Sequence, residues 1–457
     1  MAKLVSINPS NYKEIGAVEV TTPEELDQKI QIAHEAKITW RNTSLEERIT
    51  ILRAAFIELG QNKKELAEIQ SKEMGMPITD ALYDVDDSIN FANWYFDNAE
   101  KYLAPEITYE DDKVVHYVVR EPIGVAAVIL PWNFPFANVV WGALQSLVVG
   151  NVVIMKHSEE CPLSSQLITK IIHKHLPEGV FDAVYGDGKL GDLLTSADID
   201  LIALTGSTKV GKYLYEKAGK KFIKAVMELG GSAPGIIFDD ADLDIAISNV
   251  CNNRLFNSGQ CCDGLKRLIV HESLQEEVLE RLKIQFESKK IGDALDEETN
   301  IGPLVAKRQL EAVIEQVEDA LNKGAEIVSG GSSVEEELGG AFYEPTILKN
   351  VSLDMRVMQE EVFAPVLPII TFSTEEEAIK LANNTSYGLG AYLFTNDNDR
   401  IERMIQSLES GMVSVNGVSY IKPFNPFGGY KYSGIGREHG KYGFEELTQI
   451  KVIAKPK

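Results

Sequence analysis

Short runs of β-forming residues alternate with helical segments along almost the whole chain. Most of these runs are apolar at every position, as in VAAVIL (residues 125–130) and LIALT (residues 201–205). A strand that is apolar on both faces has to be covered on both faces, which is typical of parallel strands between two layers of helices. The pattern therefore predicts βαβ units and an α/β fold. Further runs of this kind lie at residues 151–155, 234–238, 265–270, 367–372, 391–395 and 412–416.

Local patterns add detail to this fold. TPEE (residues 22–25) places a threonine cap, a proline and a glutamate where a helix begins, and STEE (residues 373–376) predicts a second helix start of the same kind. Polar and apolar residues alternate in residues 107–122, which predicts a two-stranded arm. The C-terminal run KVIA (residues 451–454) can pair with an exposed sheet edge, including the edge of a second subunit.

Composition and charge exclude several classes of protein. The chain has 457 residues, enough for about three domain-sized units. Its net charge of -24 would repel nucleic-acid phosphates and anionic lipid headgroups, so neither a nucleic acid nor a membrane is an expected partner. The apolar runs are too short to span a membrane, and no apolar signal core follows the N-terminus. Four cysteines, two of them adjacent, are typical of a reduced, cytoplasmic protein.

Two glycine-rich loops are candidate phosphate sites. GDGKLG (residues 186–191) satisfies the dinucleotide pattern G-x-G-x-x-G after a predicted strand, although an ordinary strand-to-helix turn fits it as well. GSTKVGK (residues 206–212) comes close to a nucleoside-triphosphate loop, but Tyr213 stands where that loop needs a small hydroxyl for Mg²⁺. Free N–H groups at the start of the following helix would still bind an anion. A diphosphate without a metal therefore fits this loop better than a triphosphate with one.

The adjacent Cys261 and Cys262 in FNSGQCCDG (residues 256–264) could be a redox pair, half of a metal site, or one nucleophile beside a bystander. A disulfide between chain neighbours needs a strained ring, which disfavours the redox pair. The seven histidines are scattered, no Cys-x-x-Cys occurs, and HKH (residues 173–175) is typical of a solvated helix end, so no metal site is predicted. A cysteine nucleophile would also need a base and a donor to the oxyanion.

Two further motifs could supply those groups. MELGG (residues 227–231) places Glu228 between apolar residues, a setting that raises the pKa of a carboxyl and suits it to act as a general base. ILPWNFP (residues 129–135) puts Asn133 in a rigid loop after a buried strand, where its amide could donate to a developing oxyanion. Each motif taken singly has an equally good structural explanation, a glycine-rich turn for the first and a proline-bracketed loop for the second.

Together these motifs resemble the successive signatures of the NAD(P)-dependent aldehyde dehydrogenases. The resemblance rests on ILPWNFP, LTGSTKVG, MELGG, FNSGQCC, EEVFAPV and NPFGGYKYSGIGRE, and it extends from INPSNYKEIG to the C-terminal strand. It implies an α/β fold with a Rossmann-type NAD-binding domain (residues 1–105 and 123–229) and an α/β catalytic domain (residues 230–435). It also implies a small β oligomerisation arm with a C-terminal strand (residues 106–122 and 436–457), and hence a homodimer or homotetramer.

The resemblance assigns catalytic roles to three residues. It makes Cys262 the nucleophile that attacks the aldehyde carbon, with Cys261 at the variable position of the motif as a bystander in the substrate pocket. The amide of Asn133 and the backbone N–H of Cys262 would hold the oxyanion. Hydride transfer to the nicotinamide would leave a thioester, and Glu228 would activate the water that releases the carboxylic acid.

A set of cofactor-binding residues and a preference for NAD over NADP also follow from the resemblance. A carboxylate at Glu159 would accept hydrogen bonds from both hydroxyls of the adenosine ribose and would repel a 2′-phosphate. Lys156 would reach the same ribose, and Glu361 would hold the nicotinamide ribose. The full set is Trp132, Lys156, Glu159, Gly206, Ser207, Gly211, Leu229, Glu361 and Phe363.

The substrate pocket that the resemblance implies is aromatic and uncharged. Relatives that oxidise succinic semialdehyde usually place an arginine at the position of Trp141, and some place a second at the position of Phe256. With Phe134, Cys261 and Phe427, these two residues would form a pocket for an uncharged aliphatic or aromatic aldehyde. Succinic semialdehyde stays an alternative because the chain is short and shares the KH of IMKHSEE with those relatives. Betaine aldehyde stays another because aromatic faces bind cations.

The chain departs from the family pattern in several places. His157 replaces a proline, Ala364 replaces a glycine, and Gly142 replaces a lysine that could relay protons between Glu228 and Glu438. The N-terminus is short and is expected to lack the hairpin with which the family opens. Hydrolysis of the thioester is expected in preference to acyl transfer to coenzyme A, because members that use coenzyme A usually lack the glutamate found here at position 228.

Overall fold

The computed structural model describes residues 2–457 of the protein. In chain order, the strands are β1 (Lys3–Asn8), β2 (Lys13–Glu19), β3 (Glu106–Glu110), β4 (Val114–Pro122), β5 (Val125–Leu130), β6 (Val152–His157), β7 (Phe181–Val184), β8 (Leu201–Thr205), β9 (Lys224–Glu228), β10 (Ala233–Ile237), β11 (Leu265–His271), β12 (Glu326–Ser329), β13 (Thr346–Lys349), β14 (Val366–Phe372), β15 (Gly390–Phe394), β16 (Met412–Val415), β17 (Gly434–Ile435) and β18 (Thr448–Pro456).

The helices are α1 (Pro23–Asn42), α2 (Leu45–Gln61), α3 (Lys63–Met74), α4 (Ile78–Leu103), α5 (Pro135–Val139), α6 (Gln145–Val149), α7 (Pro162–Ile172), α8 (Gly188–Ser196), α9 (Thr208–Lys221), α10 (Leu243–Leu255), α11 (Gln275–Glu287), α12 (Lys307–Asn322), α13 (Glu335–Leu338), α14 (Arg356–Gln359), α15 (Glu375–Asn383), α16 (Asn398–Ser407) and α17 (Gly440–Glu446). A π-helical turn (Val140–Leu144) separates α5 from α6, and 3₁₀ turns lie at Phe256–Gly259, Glu272–Leu274 and Lys431–Ser433.

Two mainly parallel sheets organise the chain and confirm the predicted α/β fold. The first has six strands in the order β17-β9-β8-β5-β6-β7, and its short edge strand β17 is antiparallel to β9. The second has seven strands in the order β12-β13-β14-β11-β10-β15-β16, and its edge strand β12 is antiparallel to β13. Every apolar run identified from the sequence is a strand of one of these two sheets.

The apolar runs become strands because helices cover the sheets. In β5, Val125, Ala126, Ala127 and Val128 are all fully buried, although their side chains alternate between the two faces. Trp40 of α1 belongs to the same core, and its indole N–H donates to the carbonyl of residue 147 at 3.0 Å. Full burial of one large apolar side chain stabilises a fold by about 1.5–3 kcal/mol. These buried strands therefore form a rigid base for the loops that follow them.

Both predicted helix starts occur, one of them a residue later than expected. Thr22 caps α1: its side chain accepts from Glu25 N at 3.2 Å, and the Glu25 carboxylate accepts from Thr22 N at 2.7 Å. The cap of α15 is Thr374, whose hydroxyl accepts from Glu377 N at 3.3 Å. The prediction of a cap at Ser373 is therefore wrong by one residue, because the first helical turn uses the third glutamate of the run instead of the second.

The predicted two-stranded arm is part of a three-stranded antiparallel sheet in the order β18-β4-β3. The C-terminal strand β18 pairs along its whole length with β4 of its own chain, from Thr448 opposite Pro122 to Pro456 opposite Val114. The backbone of β18 therefore finds a pairing partner in its own chain and does not require a strand of a second subunit. The domain boundaries implied by the resemblance stay a prediction. Large apolar side chains remain exposed on the sheet, namely Ile107, Tyr109, Ile450 and Val452.

The expectation that the N-terminus lacks a hairpin is wrong. β1 and β2 form an antiparallel hairpin, and the buried Glu73 of α3 holds it against the rest of the chain. The Glu73 carboxylate accepts from the Ser6 hydroxyl of β1 at 2.8 Å. At the start of α7 it accepts from Leu163 N at 2.7 Å and from the N–H and hydroxyl of Ser164 at 2.7 and 2.5 Å. The sequence does not indicate this network, because the partners of Glu73 lie 67 to 91 residues away from it.

Replacing Glu73 with glutamine is expected to destabilise the fold by about 2–3 kcal/mol, because the amide would turn a donor toward backbone N–H groups that need an acceptor. Burial raises the pKa of the Glu73 carboxyl to about 7, so urea unfolding at about pH 8 compares the ionised wild type with the variant. Glu65→Gln changes an exposed glutamate of the same helix and should alter stability by less than about 0.5 kcal/mol. Equal stability of Glu73→Gln and wild type would contradict the role assigned to this carboxylate.

Candidate active site

A cavity of about 270 Å³ opens at the carboxyl edge of the six-stranded sheet, where β5 lies between β8 and β6. Strand β5 leads into Trp132, Asn133 and Phe134, and β8 leads into Gly206 and Ser207. Ligands of open α/β sheets bind at such a position, beyond the carboxyl ends of parallel strands. We call this space the first cavity. It is also lined by Glu228, Leu229, Gly230, Cys262, Glu361 and Phe363.

A second cavity, of about 340 Å³, shares four lining residues with the first, namely Phe134, Trp141, Cys262 and Phe427. Cys262 therefore lies at the junction of the two cavities, and it is the nucleophilic side chain among the four shared residues. The adjacent Cys261 lines only the second cavity. A molecule that entered from either cavity would reach Cys262.

The turn before the two cysteines has a strained backbone that other parts of the chain hold in place. Asn257, Ser258 and Gly259 have φ values of 49°, 54° and 77°, a left-handed conformation that costs a non-glycine residue about 1–2 kcal/mol. A Cβ on Gly259 would lie 2.5 Å from the Ala364 carbonyl, so this position requires glycine. The buried Arg254 donates from Nη2 to the carbonyls of Gly259 at 2.6 Å and Ala364 at 2.7 Å, which fixes the turn.

Asn133 is held at the edge of the first cavity by its neighbours. Its side-chain amide donates to Gln260 O at 3.0 Å, and its backbone carbonyl accepts from the Asn257 amide at 2.7 Å. The Asn138 amide nitrogen lies 3.5 Å from Asn133 Oδ1. A primary amide has two N–H donors, and the single donor contact recorded within residues 2–457 uses one of them. The second is available to a ligand of the cavity.

Glu228, the last residue of β9, is buried, and both of its carboxyl oxygens lack a hydrogen-bond partner within residues 2–457. Burial raises the pKa of this carboxyl well above its usual value, and the nearby Glu438 raises it further. The backbone approaches it closely, since a Cβ on Gly428 would lie 2.6 Å from Glu228 Oε1. A carboxyl with a raised pKa can accept a proton near neutral pH, which suits a general base.

The lysine that relays protons in the family pattern is absent from this chain. Gly142 takes its place in the π-helical turn, where a Cβ would lie 2.8 Å from Leu130 Cδ2 and 4.0 Å from Glu438 Oε1. Glu438 lines the first cavity with Glu228, and its carboxylate accepts from the Thr205 hydroxyl at 3.4 Å. Burial raises the pKa of Glu438 to about 7. Two buried carboxyls thus share this cavity without an intervening lysine.

The N-terminus of α9 begins at the first cavity. Ser207 caps this helix, with its hydroxyl accepting from Val210 N at 3.4 Å, and Gly206 and Ser207 line the cavity. The first N–H groups of a helix have no partner inside the helix and favour an anion. A Cβ on Gly211 would lie 2.5 Å from Leu229 Cδ2. Glycine at this position lets the helix pack closely on the segment that follows β9.

Glu361 connects the first cavity to the seven-stranded sheet. Its Oε1 accepts from Gly231 N at 3.0 Å and forms an ion pair with the buried Lys266 of β11. A Cβ on Gly230 would contact Glu361 Oε2, so a larger residue at this position would displace the carboxylate. Prediction from the sequence identified Glu361 but missed Lys266, since the adjacent Lys266 and Arg267 of β11 belong to no motif.

Lys156 and Glu159 lie at the end of β6, beside the first cavity but not among its lining residues. Burial lowers the pKa of the Lys156 ammonium, and its Nζ is 3.8 Å from Glu159 Oε2. His157 takes the place of the family's proline: Nε2 lies 3.0 Å from Pro135 O, and Nδ1 accepts from Ser158 N at 3.0 Å. Burial lowers the pKa of His157 to about 4. The neutral ring therefore connects β6 to the loop that follows β5.

The loop GDGKLG (residues 186–191) forms the turn between β7 and α8. Asp187 caps the helix and accepts from Lys189 N at 2.9 Å. Strand β7 is at the edge of its sheet, and no residue of the loop lines the first cavity. The geometry at this loop is that of a strand-to-helix turn, whereas the other glycine-rich loop reaches the cavity.

Aromatic side chains form a wall that the two cavities share. Phe134 stacks on Phe256 with ring centroids 6.0 Å apart and an interplanar angle of 18°. The Trp141 ring centroid is also 6.0 Å from that of Phe134. Phe256 and Cys261 line the second cavity, and Phe427 lines both. The structure therefore brings together all five residues predicted for the substrate pocket.

Several charged residues that line the second cavity were not predicted from the sequence. Tyr83, Asp84 and Asp87 of α4 line it, and so does the exposed Lys422. Burial raises the pKa of Asp84 to about 7. Burial also raises the pKa of the half-buried Asp87, and Lys422 opposes that shift. The spacing of the two aspartates places them on one helical face, but an acidic face of a helix usually indicates contact with solvent.

All four cysteines are free. Cys262 is half-buried, whereas the other three are buried. Burial raises the pKa of the Cys262 thiol well above its usual value, the charge of Asp263 raises it further, and Lys266 lowers it. Within residues 2–457, no group of three or more His, Cys, Asp or Glu side chains could hold a metal ion. In the same part of the chain, no helix has the length and apolar character needed to cross a membrane.

Comparison with known proteins gives consistent matches along the chain. The sequence model of the aldehyde dehydrogenase family matches residues 2–453. Succinate-semialdehyde dehydrogenase (NADP(+)) of Escherichia coli K12 is 36% identical over 450 residues, which cover 98% of this chain and 93% of that protein. Betaine aldehyde dehydrogenase of Bacillus subtilis 168 is 37% identical over 454 residues, with coverages of 98% and 93%. The crystal structure of an indole-3-acetaldehyde dehydrogenase complexed with NAD⁺ matches with a TM-score of 0.96 at 33% identity, over 100% of this chain and 93% of that one.

Proposed function

Since the chain belongs to the aldehyde dehydrogenase family and is therefore an oxidoreductase, we propose that it uses Cys262 to oxidise an aldehyde to the carboxylic acid. One observation carries the assignment of residues. Cys262 lies at the junction of two cavities, and Glu228 and Asn133 line the first of them. Nucleophile, base and oxyanion donor thus border one space that a carbonyl group can enter from the second cavity.

The proposed reaction has two stages. The Cys262 thiolate forms a C–S bond to the aldehyde carbon, and the Asn133 amide donates to the resulting oxyanion; losing such a donor lowers turnover about 10²–10³-fold. Loss of hydride from this carbon restores the C=O bond and leaves a thioester on Cys262. Glu228 then takes a proton from a water molecule as the water attacks the thioester. The C–S bond breaks, and the carboxylic acid and the thiolate separate.

The first cavity fits a nicotinamide dinucleotide, whose ring supplies the hydride acceptor when bound. Its residues match the chemistry of that group: the start of α9 at Gly206 and Ser207 suits a diphosphate, and the Glu361 carboxylate suits ribose hydroxyls. Trp132 and Phe363, whose ring centroids are 5.5 Å apart, border the same space. The remaining residues proposed to bind the cofactor are Lys156, Glu159, Gly211 and Leu229.

Replacing Glu228 with glutamine is expected to separate the two stages. Because an amide cannot take the proton from water, the variant should form one NADH per site in a burst and then turn over about 10²–10⁴-fold more slowly than wild type. Stopped-flow absorbance of NADH measures both phases. Cys262→Ala should show no burst, and Cys251→Ala, which changes a cysteine that lines neither cavity, should turn over at the wild-type rate. A burst in Cys262→Ala, or an unchanged steady-state rate in Glu228→Gln, would contradict the assignment.

NAD⁺ is the cofactor that we propose, on the evidence of Glu159. The side chain of Glu159 is 43% exposed and lies at the carboxyl end of β6, beside the first cavity. A carboxylate at such a position accepts from ribose hydroxyls and repels a 2′-phosphate. Family membership does not decide the matter, because the E. coli relative is named for NADP⁺ and the indole-3-acetaldehyde dehydrogenase was crystallised with NAD⁺.

Glu159→Ser is expected to lower the KM for NADP⁺ about tenfold or more, because it removes the charge that repels the 2′-phosphate. The KM for NAD⁺ should rise, since hydrogen bonds to the ribose are lost. Steady-state kinetics with each cofactor measure the ratio of the two constants. Glu160→Ser changes the neighbouring carboxylate, which pairs with Arg308, and should leave the ratio unchanged. A wild-type KM lower for NADP⁺ than for NAD⁺ would refute the preference.

The substrate class that we propose is an uncharged aliphatic or aromatic aldehyde. The stacked rings of Phe134 and Phe256, with Trp141 beside them, give the second cavity a large apolar wall. No arginine occurs among the described residues that line this cavity, and its exposed Lys422 lies close to a carboxylate. Burial lowers the pKa of the lining His439 to about 3, so its ring is neutral. Nothing in this wall favours a carboxylate on the substrate.

A second candidate is an aldehyde that carries a cationic group, such as betaine aldehyde. Asp84 and Asp87 favour it, because both line the second cavity and either could pair with a cation. Aromatic faces also attract cations, by about 0.5–2 kcal/mol for each contact. Succinic semialdehyde is the least supported alternative, since its carboxylate would face these two aspartates.

A panel of aldehydes separates these substrate classes. We expect kcat/KM to be higher for hexanal and benzaldehyde than for succinic semialdehyde. Asp87→Asn should lower kcat/KM for betaine aldehyde by about fivefold, the effect of losing an ion pair of about 1 kcal/mol, and should leave hexanal unaffected. Asp86→Asn, which changes the exposed neighbour, serves as the control. If succinic semialdehyde gives the highest kcat/KM, the proposed substrate class is wrong.

We also propose that the chain forms a homodimer or homotetramer through the three-stranded sheet. The exposed Ile107, Tyr109, Ile450 and Val452 support this proposal, since monomers rarely expose so many large apolar side chains on one small sheet. The boundaries of the NAD-binding domain, the catalytic domain and the arm are proposed as the family resemblance gives them. The sedimentation mass of the purified protein tests the assembly.

A further inference from the structure

Lys266, the second residue of β11, has a side chain that is only 1% exposed. Its ammonium donates to Gly231 O at 2.9 Å, to Cys262 O at 2.9 Å and to the Glu361 carboxylate. An ammonium has three N–H donors, so every donor has an acceptor. The Phe363 ring packs nearby, with its centroid 5.1 Å from Nζ. A buried charge that is satisfied in this way is rigid, and its field is weakly screened.

The three acceptors belong to the three segments that form the proposed active site. Gly231 ends the segment that carries Glu228, Cys262 is the proposed nucleophile, and Glu361 is a proposed cofactor ligand. Gly231 N donates to the same Glu361 oxygen at 3.0 Å, which closes the network. The next residue of β11, Arg267, is also charged and fully buried, and its guanidinium donates to the carbonyls of Ser232 and Leu381. Lys266 is therefore the buried charge of this strand that contacts the proposed nucleophile.

Several charged or titratable groups act on the Cys262 thiol. Burial and Asp263 raise its pKa, Lys266 lowers it, and Cys261 and Glu361 raise it. Lys266 is therefore the group in this set that favours the thiolate. Glu361 forms an ion pair with Lys266 and has the opposite effect on the pKa of the thiol. The hydroxyls of Tyr392 and Tyr420 are also close to the thiol, and burial raises the pKa of both well above the usual value. Glu228 and Glu438 line the first cavity with Cys262, and Asp84, Asp87, Lys422 and His439 line the second cavity with it.

We propose that Lys266 is a positioning residue whose ammonium increases the thiolate fraction of Cys262, and that Glu361 limits this effect by pairing with the same ammonium. The proposal rests on the proposed role of Cys262 as the nucleophile. The hydrogen bonds of Lys266 already hold the backbone of the cysteine and orient Glu361. The proposal adds an electrostatic function for the same ammonium.

The electrostatic role predicts opposite results for two variants of the free enzyme. Lys266→Met keeps the length of the side chain and removes its charge, so fewer Cys262 thiols should be ionised. Glu361→Gln keeps an acceptor for Lys266 and Gly231 and removes the opposing charge, so more should be ionised. A purely structural role would move both variants in the same direction, because both loosen the same network.

Iodoacetamide alkylation of Cys262 without cofactor, followed by mass spectrometry from about pH 6 to 10, measures the thiolate fraction. Below the pKa of the thiol, Lys266→Met should react about tenfold more slowly than wild type, which corresponds to one pKa unit. Glu361→Gln should react about threefold to tenfold faster. Lys349→Met serves as the matched control, because Lys349 lies in the same sheet and pairs with Glu326 at 3.2 Å near the surface. Its rate should equal that of wild type.

Rates that fall in both variants, or that stay at the wild-type value in either, would overturn the proposal. If Lys266→Met does not fold, Glu361→Gln decides alone, since only a faster reaction agrees with release of the lysine charge. Failure of the proposed function has a different signature, which is NADH formation by Cys262→Ala. If NADH formation requires Cys262 but the alkylation rates of the two variants do not change in the expected directions, only the proposed role of Lys266 is wrong.

Discussion

The short crossing from β9 to β10 is the constraint on which the proposed active site depends. It carries the chain from the six-stranded sheet to the seven-stranded sheet, with Glu228 at its start and Gly231 near its end. Backbone hydrogen bonds fix the crossing: Gly206 N donates to Glu228 O at 2.9 Å, and Leu229 N donates to Ser433 O at 2.9 Å. Because both sheets are rigid, any group attached to the crossing keeps its distance from groups on either sheet. The base, the nucleophile and the carboxylate of residue 361 can therefore meet without a flexible loop.

Some of the polar groups that the fold leaves without a hydrogen-bond partner lie at this meeting point. Both carboxyl oxygens of Glu228 and the indole nitrogen of Trp141 are buried without partners within residues 2–457, and both residues line the first cavity. A buried polar group without a partner costs about 1–3 kcal/mol, and the left-handed turn at residues 257–259 adds strain. A fold tolerates such costs where the two large cores around the sheets are well packed. Features of this kind are typical of functional sites.

Relatives of almost equal identity are named for different aldehydes. The relative named succinate-semialdehyde dehydrogenase is 36% identical to this chain, and the one named betaine aldehyde dehydrogenase is 37% identical. Glu228 ends β9, and Asn133 and Cys262 lie in short segments beside β5 and β11, whereas Asp84 and Asp87 come from α4, and Lys422 comes from a loop near the C-terminus. Substitutions in α4 or in that loop can change the charge of the second cavity without disturbing the strands. Under the proposed function, charge and shape at these positions would decide the substrate more directly than overall identity.

The sequence by itself determined the α/β class, most strands of the two sheets and the main motifs, because burial on both faces and short loops are local properties of a chain. It also determined which residues were candidates for the site. Tertiary structure alone decided the N-terminal hairpin held by Glu73, the pairing of β18 with its own arm, and the contacts of Lys266. It also brought Asp84 and Asp87 to the cavity, although their helix looks solvated in the sequence. In each case the partners are far apart in the chain, so that only packing of the completed sheets and helices brings their charges and hydrogen-bonding groups within reach of one another.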